Sequence, residues 1–138
     1  METLDFAASV AKITQRAYEL NIKGRKEGLS GLENDIDEQK LKDHDVFEIG
    51  IKLMSDGIGC ENIDKILSGK VNLENDESLR QLKIIQKEAV LCIQKKYNSW
   101  NLFNVIFSYI NRKETEKVQK HLKDKIFTEY FRLYHQEA

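Results

Sequence analysis

Apolar residues recur three or four positions apart along almost the whole chain, which predicts a largely α-helical protein. The first stripe runs from residue 4 to residue 20, and Thr3 is the predicted cap of this helix. A second helical segment carries Leu29, Leu32 and Ile36, although the glycines around it weaken a helix. Residues 34–45 are polar and acidic, and this composition is typical of a loop.

Two helical hairpins follow in the pattern. In the first, a helix capped by Asp43 or Asp45 ends at the turn Asp56-Gly57, because glycine favours the left-handed conformation that ends a helix. The short helix after this turn is predicted to close at Ser68-Gly69.

The second hairpin begins with a long helix over residues 79–93, whose unusually wide apolar face indicates a central position. A break at residues 97–99 leads to a helix capped by Ser99. A final helix is predicted over residues 115–136, and it is either separate from the preceding helix or continuous with it through a bend.

The two hairpins also resemble each other. Residues 51–67 align without gaps with residues 90–106, at an offset of 39 positions. Asn62 and Asn101 are the one identity among the matched core and cap positions, so the echo indicates either a duplication or a generic hairpin pattern. Together the elements predict an all-α, single-domain bundle of six or seven helices over residues 1–138.

Composition supports this fold and narrows the location. The chain has 138 residues, enough for one domain, and its lack of proline suits helices, which need every backbone N–H. Its longest apolar runs are far shorter than the ~20 residues of a membrane span, and its start lacks the basic and apolar regions of a signal peptide. With two cysteines and no disulfide framework, we expect a cytoplasmic protein without a membrane span.

Charge and glycine divide the chain into two halves. Residues 1–69 contain all seven glycines and have a net charge of −5, whereas residues 70–138 have a net charge of +4. This asymmetry indicates either differently solvated helix faces or surfaces for a partner, including self-association through residues 70–138.

One stretch is more specific than any periodicity. Residues 25–33, Arg-Lys-Glu-Gly-Leu-Ser-Gly-Leu-Glu, resemble the cytoplasmic motif Arg-x-x-Gly-Leu-Leu-Ala-Leu-Glu of the flagellar motor stator A subunit, the MotA/PomA family. The similarity continues through the helix that contains Gly50 and through the Asp56-Gly57 turn, and it covers residues 17–69. The matched positions that shape the motif are Gly28, Leu29, Leu32, Gly50, Asp56 and Gly57.

The resemblance implies that Arg25 and Glu33 contact a protein partner, as the matched charges of that family contact the rotor switch protein FliG. On an ideal helix, these two residues would lie about 80° apart around the axis and roughly 12 Å apart along it. The arginine would then bind a partner carboxylate, and the glutamate would accept from a partner cation. Alternatively, both are ordinary solvated charges.

The chain also departs from that family. The stator subunit has membrane helices on both sides of this region and conducts ions, so the channel and torque generation do not carry over to a chain without such helices. Residues 77–138 have no counterpart in the family. We therefore expect a non-enzymatic cytoplasmic interaction module associated with the flagellar motor and motility, or else an unrelated helical adaptor or small regulatory protein.

Other functional classes have weaker support. His44, His121 and His135 lie far apart, and neither they nor Cys60 have the neighbours of a metal or nucleophile site, so we expect no catalytic residue, metal or cofactor. The basic residues of the final helix are diluted by glutamates, which makes a nucleic-acid-binding regulator the less favoured alternative. Seven aromatic side chains of the second half are interpreted as core, namely Trp100, Phe103, Phe107, Phe127, Tyr130, Phe131 and Tyr134.

Overall fold

The computed structural model describes residues 5–122, in which seven α-helices and one 3-10 helix occur and no strand is present. The all-α prediction is confirmed, but this part of the chain alone has eight helices, where six or seven are predicted for residues 1–138. The helices are α1 (Phe6–Glu27), the 3-10 helix η1 (Leu29–Asp35), α2 (Glu38–Lys42), α3 (Val46–Ser55), α4 (Cys60–Asn72), α5 (Glu77–Gln94), α6 (Ser99–Phe107) and α7 (Arg112–His121).

Helix α5 is the central element, as its wide apolar face predicted. It packs against α1, α3, α4 and α6, and its five consecutive residues Ala89–Ile93 are all buried. Helix α3 approaches it closely at Gly50, where an added Cβ would lie 2.7 Å from both methyl carbons of Val90. The buried side chains form one core that joins residues from both halves of the chain.

The first helix differs from its prediction at both ends. Asp5 caps α1 by accepting from the amide of Ala8, whereas Thr3 lies outside the described residues. At the other end α1 continues to Glu27 and stops at Gly28, whose φ of 90° lies in the left-handed region that favours glycine. The ideal helix assumed between Arg25 and Glu33 is therefore wrong, since the two residues belong to different elements.

The loop expected over residues 34–45 is also wrong in part. The end of η1 and the whole of α2 lie within it, and Asp37 caps α2 by accepting from the amides of Gln39 and Lys40. Helix α2 has no buried residue, so it carries no apolar stripe by which the pattern could have indicated it.

The ends of three further helices also differ from the prediction or settle it. Helix α4 runs past Ser68-Gly69 to Asn72, because Val71 adds a further buried position. Asn98, and not Ser99, caps α6. Helices α6 and α7 are separate, with Asn111 as the cap of α7. The prediction for residues 123–136 lies outside the described part of the chain.

The two hairpins turn in the same way at the predicted offset. Gly57 has a φ of 85° and Lys96 a φ of 57°, and the next amide in each case bonds back five residues, from Ile58 to Leu53 and from Tyr97 to Cys92. The same bonds occur after α2, where His44 has a φ of 63°. This is the usual way to end a helix with a left-handed residue, so the shared geometry does not separate a duplication from a generic hairpin.

Candidate interaction surface

The residues of the stator-like motif fold back against the end of α1. Leu32 is fully buried and Leu29 is half-buried. Gly24 makes room for them, because a Cβ there would lie 3.2 Å from Cδ2 of Leu29 and 3.5 Å from Cδ1 of Leu32. An ion pair between Lys23 and Asp35 joins α1 to the far end of η1. The glycine and leucine positions of the motif therefore have a structural explanation.

Arg25 lies in the last turn of α1 and is exposed to solvent. It makes no hydrogen bond or ion pair with the described residues, and Lys26 beside it adds a second exposed positive charge. A guanidinium in this position can donate to a carboxylate in two parallel bonds.

Glu33 is differently placed. Its Oε1 lies 2.8 Å from Nζ of Lys52 on α3, and the same ammonium lies 3.0 Å from Oδ1 of Asp56. The hydrogen bonds to Glu33 and then to Asp56 raise the pKa of Lys52 above its ordinary value. Glu33 therefore belongs to a cluster of three charged side chains. More than half of the Glu33 side chain is still exposed to solvent. Asp56, which the motif singled out, is both part of this cluster and the residue that ends α3.

Sequence reasoning missed a buried ion pair, between Arg16 and Glu48, that contacts the segment after η1. Glu48 is 1% exposed, and its two carboxylate oxygens lie 2.5 Å and 3.0 Å from the two terminal nitrogens of Arg16. Arg16 also donates to the carbonyl of Asp35 at 2.7 Å, and the amide of Asp37 donates to Glu48 at 3.1 Å. This network ties the segment between η1 and α2 to α1 and α3.

Two opposing effects determine the pKa of Glu48. Burial raises its pKa, while the hydrogen bond from Asp37 and the charge of Arg16 lower it, and the net direction is upward. Arg16 also lies over the ring of Phe47, 5.4 Å from its centre. The sequence held one signal for this pair, which is a lone glutamate within the apolar run 46–51.

The other candidate residues are not brought together. His44 and His121 are exposed on different helix ends, and His135 lies outside the described residues. Within residues 5–122, no group of three or more histidine, cysteine, aspartate and glutamate side chains could hold a metal ion. Burial raises the pKa of the Cys92 thiol to about 12, which leaves it protonated at neutral pH.

Several basic and aromatic side chains of the described second half have local partners. On α7, Arg112 pairs with Glu116, and Lys117 pairs with Glu114. Phe103 stacks between Tyr18 and Phe107 with ring centres 5.7 Å and 6.3 Å away, so the core interpretation is confirmed for these rings. The aromatic residues at positions 127, 130, 131 and 134 lie outside the described chain.

The described chain therefore belongs to the class of all-α bundles. It has a charged surface formed by residues at the end of α1, on η1 and on α3. In residues 5–122, no helix combines the length and the apolar character that crossing a membrane requires. Comparison with protein-family models, with curated proteins and with solved structures found no match. The relationship to the stator family therefore stays a prediction.

Proposed function

We propose that the chain is a non-enzymatic, cytoplasmic protein-interaction module whose contact surface contains Arg25 and Glu33. The observation that carries the proposal is the exposed guanidinium of Arg25, which makes no bond within residues 5–122 and lies in the last turn of α1. A long side chain with five donors is well suited to reading a carboxylate on a partner.

The charge cluster of Glu33, Lys52 and Asp56 lies on the elements that follow Arg25. In such a cluster, a partner cation has two carboxylates to approach, although Lys52 already neutralises part of their charge. Charges of this kind, at the rim of an interface, control orientation and association rate more than affinity.

The resemblance to the stator A subunit supports one specific partner, the rotor switch protein FliG, and hence a role in motility. A cytoplasmic module of this kind would bind the rotor without a channel of its own. The structural arrangement of Gly28, Leu29 and Leu32 explains why the motif has these residue types, but a folding role alone would also explain them.

The test is binding of the full chain to purified FliG, with the dissociation constant measured at low and at physiological salt. We expect Arg25→Glu to weaken binding about tenfold, which corresponds to ~1.4 kcal/mol, and we expect this loss to shrink at high salt. Lys26→Glu is the matched control, because it reverses an exposed neighbour on the same helix and should have a smaller effect.

Glu33→Gln tests the second contact without placing a positive charge beside Lys52. We expect a weaker effect on binding than at Arg25, because Lys52 already neutralises part of the charge that Glu33 would offer to a partner. Unchanged binding by Arg25→Glu would refute the charge contact, and no binding by the unaltered chain would refute the rotor as its partner.

A further inference from the structure

Residues 36–45, which we call the strap, run over the surface between η1 and α3. None of these ten residues is buried, and the three that are half-buried are Ile36, Leu41 and Asp45. Helix α2 forms the middle of the strap, and a helix of five residues is far too short to be stable in water by itself. The strap therefore depends for its structure on the contacts that tie it to the bundle.

The side chain of Arg16 provides the central contact. Its guanidinium donates to the carbonyl of Asp35, directly before the strap, at 2.7 Å. It also bonds to both carboxylate oxygens of Glu48, and Glu48 in turn accepts from the amide of Asp37 at 3.1 Å. One guanidinium therefore holds the chain on both sides of Ile36, directly at Asp35 and through Glu48 at Asp37.

The packing beneath the strap is incomplete. A cavity of about 70 Å³ lies there, and its lining includes Lys40 and Asp45 of the strap and Arg16, Phe47 and Glu48 of the bundle. This space is large enough for water, which needs roughly 10–15 Å³ per molecule. Because no strap residue is buried, opening the strap sacrifices little close packing.

The backbone near the end of the strap is strained. His44 has a φ of 63°, in the left-handed region that a residue other than glycine rarely adopts. Such a conformation persists only where the surrounding structure holds it, here with a bond from the amide of Asp45 to the carbonyl of Lys40 at 3.0 Å. Opening the strap would break this bond and relieve the strain.

We propose that the strap opens and closes as one unit while the rest of the described bundle stays folded, and that Arg16 is its latch. In the closed state, the strap covers Glu48 and restricts Arg16. In the open state, the two charges are presented to solvent together, between α1 and α3. This inference is independent of the proposed function, because neither Arg25 nor Glu33 takes part.

Hydrogen exchange of the full chain, followed by NMR at low urea concentrations, tests the unit. The amides of Leu41, Asp43 and Asp45 donate to carbonyls of the strap itself, and that of Asp37 donates to the network of the latch. We expect these four amides to exchange through one opening whose free energy depends weakly on urea, because it exposes little surface. This opening should occur at least about a hundredfold more often than the unfolding that the amide of Ala89 in α5 reports. Strap amides that exchange only together with Ala89 would overturn the proposal.

Arg16→Met tests the latch. We expect the opening constant of the strap to rise at least about tenfold, because opening lets water reach a carboxylate that has lost its cation. The double variant Arg16→Met/Glu48→Gln should recover most of this rise, since no uncompensated charge is then buried. Arg16→Lys covers the case in which methionine prevents folding. It keeps the cation but lacks the fork that bonds Glu48 and Asp35 together, so we expect a rise of about threefold.

Two control variants separate the latch from other effects. Lys23→Gln breaks the exposed ion pair with the side chain of Asp35, and it should change the opening less than about twofold. Ile63→Val truncates a fully buried side chain of α4, so it should speed exchange at Ala89 and leave the strap unchanged. Strap exchange that is unchanged in both Arg16 variants would overturn the latch, as would an equally large rise in Lys23→Gln. Strap exchange that follows Ala89 in Ile63→Val would overturn the separate unit.

Discussion

The substitution Arg16→Met tests the main electrostatic statement about the fold. Methionine keeps an unbranched stem over Phe47 but removes both bonds to Glu48 and the bond to the carbonyl of Asp35. Removing one member of a buried pair leaves the other charge without compensation, which costs ~3–5 kcal/mol. Arg16 retains about a quarter of its side-chain exposure, so water relieves some of this cost, and we expect a loss of about 3 kcal/mol.

The dependence on pH identifies Glu48 as the origin of the loss. The pKa of Glu48 is already raised by burial, and without Arg16 it rises further. A carboxyl group whose folded pKa exceeds its unfolded value, which is about 4.3, stabilises the fold below that value. That stability is lost as the pH rises through the folded pKa. The cost of Arg16→Met should therefore be largest near neutral pH and smaller near ~pH 5.

Urea denaturation near neutral pH and near ~pH 5 measures the loss of stability and its dependence on pH. In a thermal melt near neutral pH, the melting temperature should fall by roughly 10 °C. Lys83→Met is the matched control, because it breaks a pair with Glu74 near the surface and should change stability little. A loss below about 0.5 kcal/mol, or one that does not change with pH, would refute the view that Arg16 compensates a buried charge.

Three further predictions concern packing, backbone conformation and thiol chemistry. Gly50→Ala should destabilise the fold by about 1–3 kcal/mol, because its Cβ meets Val90 at 2.7 Å, and Val90→Ala should recover part of the loss in urea denaturation. Lys96→Gly should stabilise the chain by about 0.5–1 kcal/mol, since φ is 57° at this position, and an unchanged or lower denaturation midpoint would contradict this. In the native protein, a maleimide should modify the half-buried Cys60 and leave Cys92 unmodified, which intact mass spectrometry shows.

Helices with a strong apolar stripe were predictable, and those without one were not. The central position of α5 followed from its wide apolar face, and Asp45 was one of the two caps expected for α3. Helix α2 has no buried residue, so its local signals are limited to the cap Asp37 and to charges that suit the helix dipole, with Glu38 in the first turn and lysines in the last. For α4, Ser68 and Gly69 predict an end that the structure does not have, because the burial of Val71 extends the helix to Asn72.

The Arg16–Glu48 pair lay beyond sequence reasoning for a different reason. The two residues are 32 positions apart on separate helices, and no rule of spacing joins them. A glutamate within the apolar run of α3 could only indicate that a partner exists. The identity of the cation that pairs with Glu48 depends on how α1 packs against α3 and on the path of the segment between η1 and α2.

The same limit applies to the proposed interaction surface, where one backbone angle decides the geometry. With Gly28 in a helical conformation, Arg25 and Glu33 would lie on one continuous helix as two opposite charges, equally available to a partner. With φ at 90°, Arg25 stays on α1, while Glu33 lies on η1 and reaches Lys52 and Asp56 of α3. A partner would therefore meet an unpaired cation and a partly neutralised anion, and Arg25 has to contribute more than Glu33 to any binding that both support.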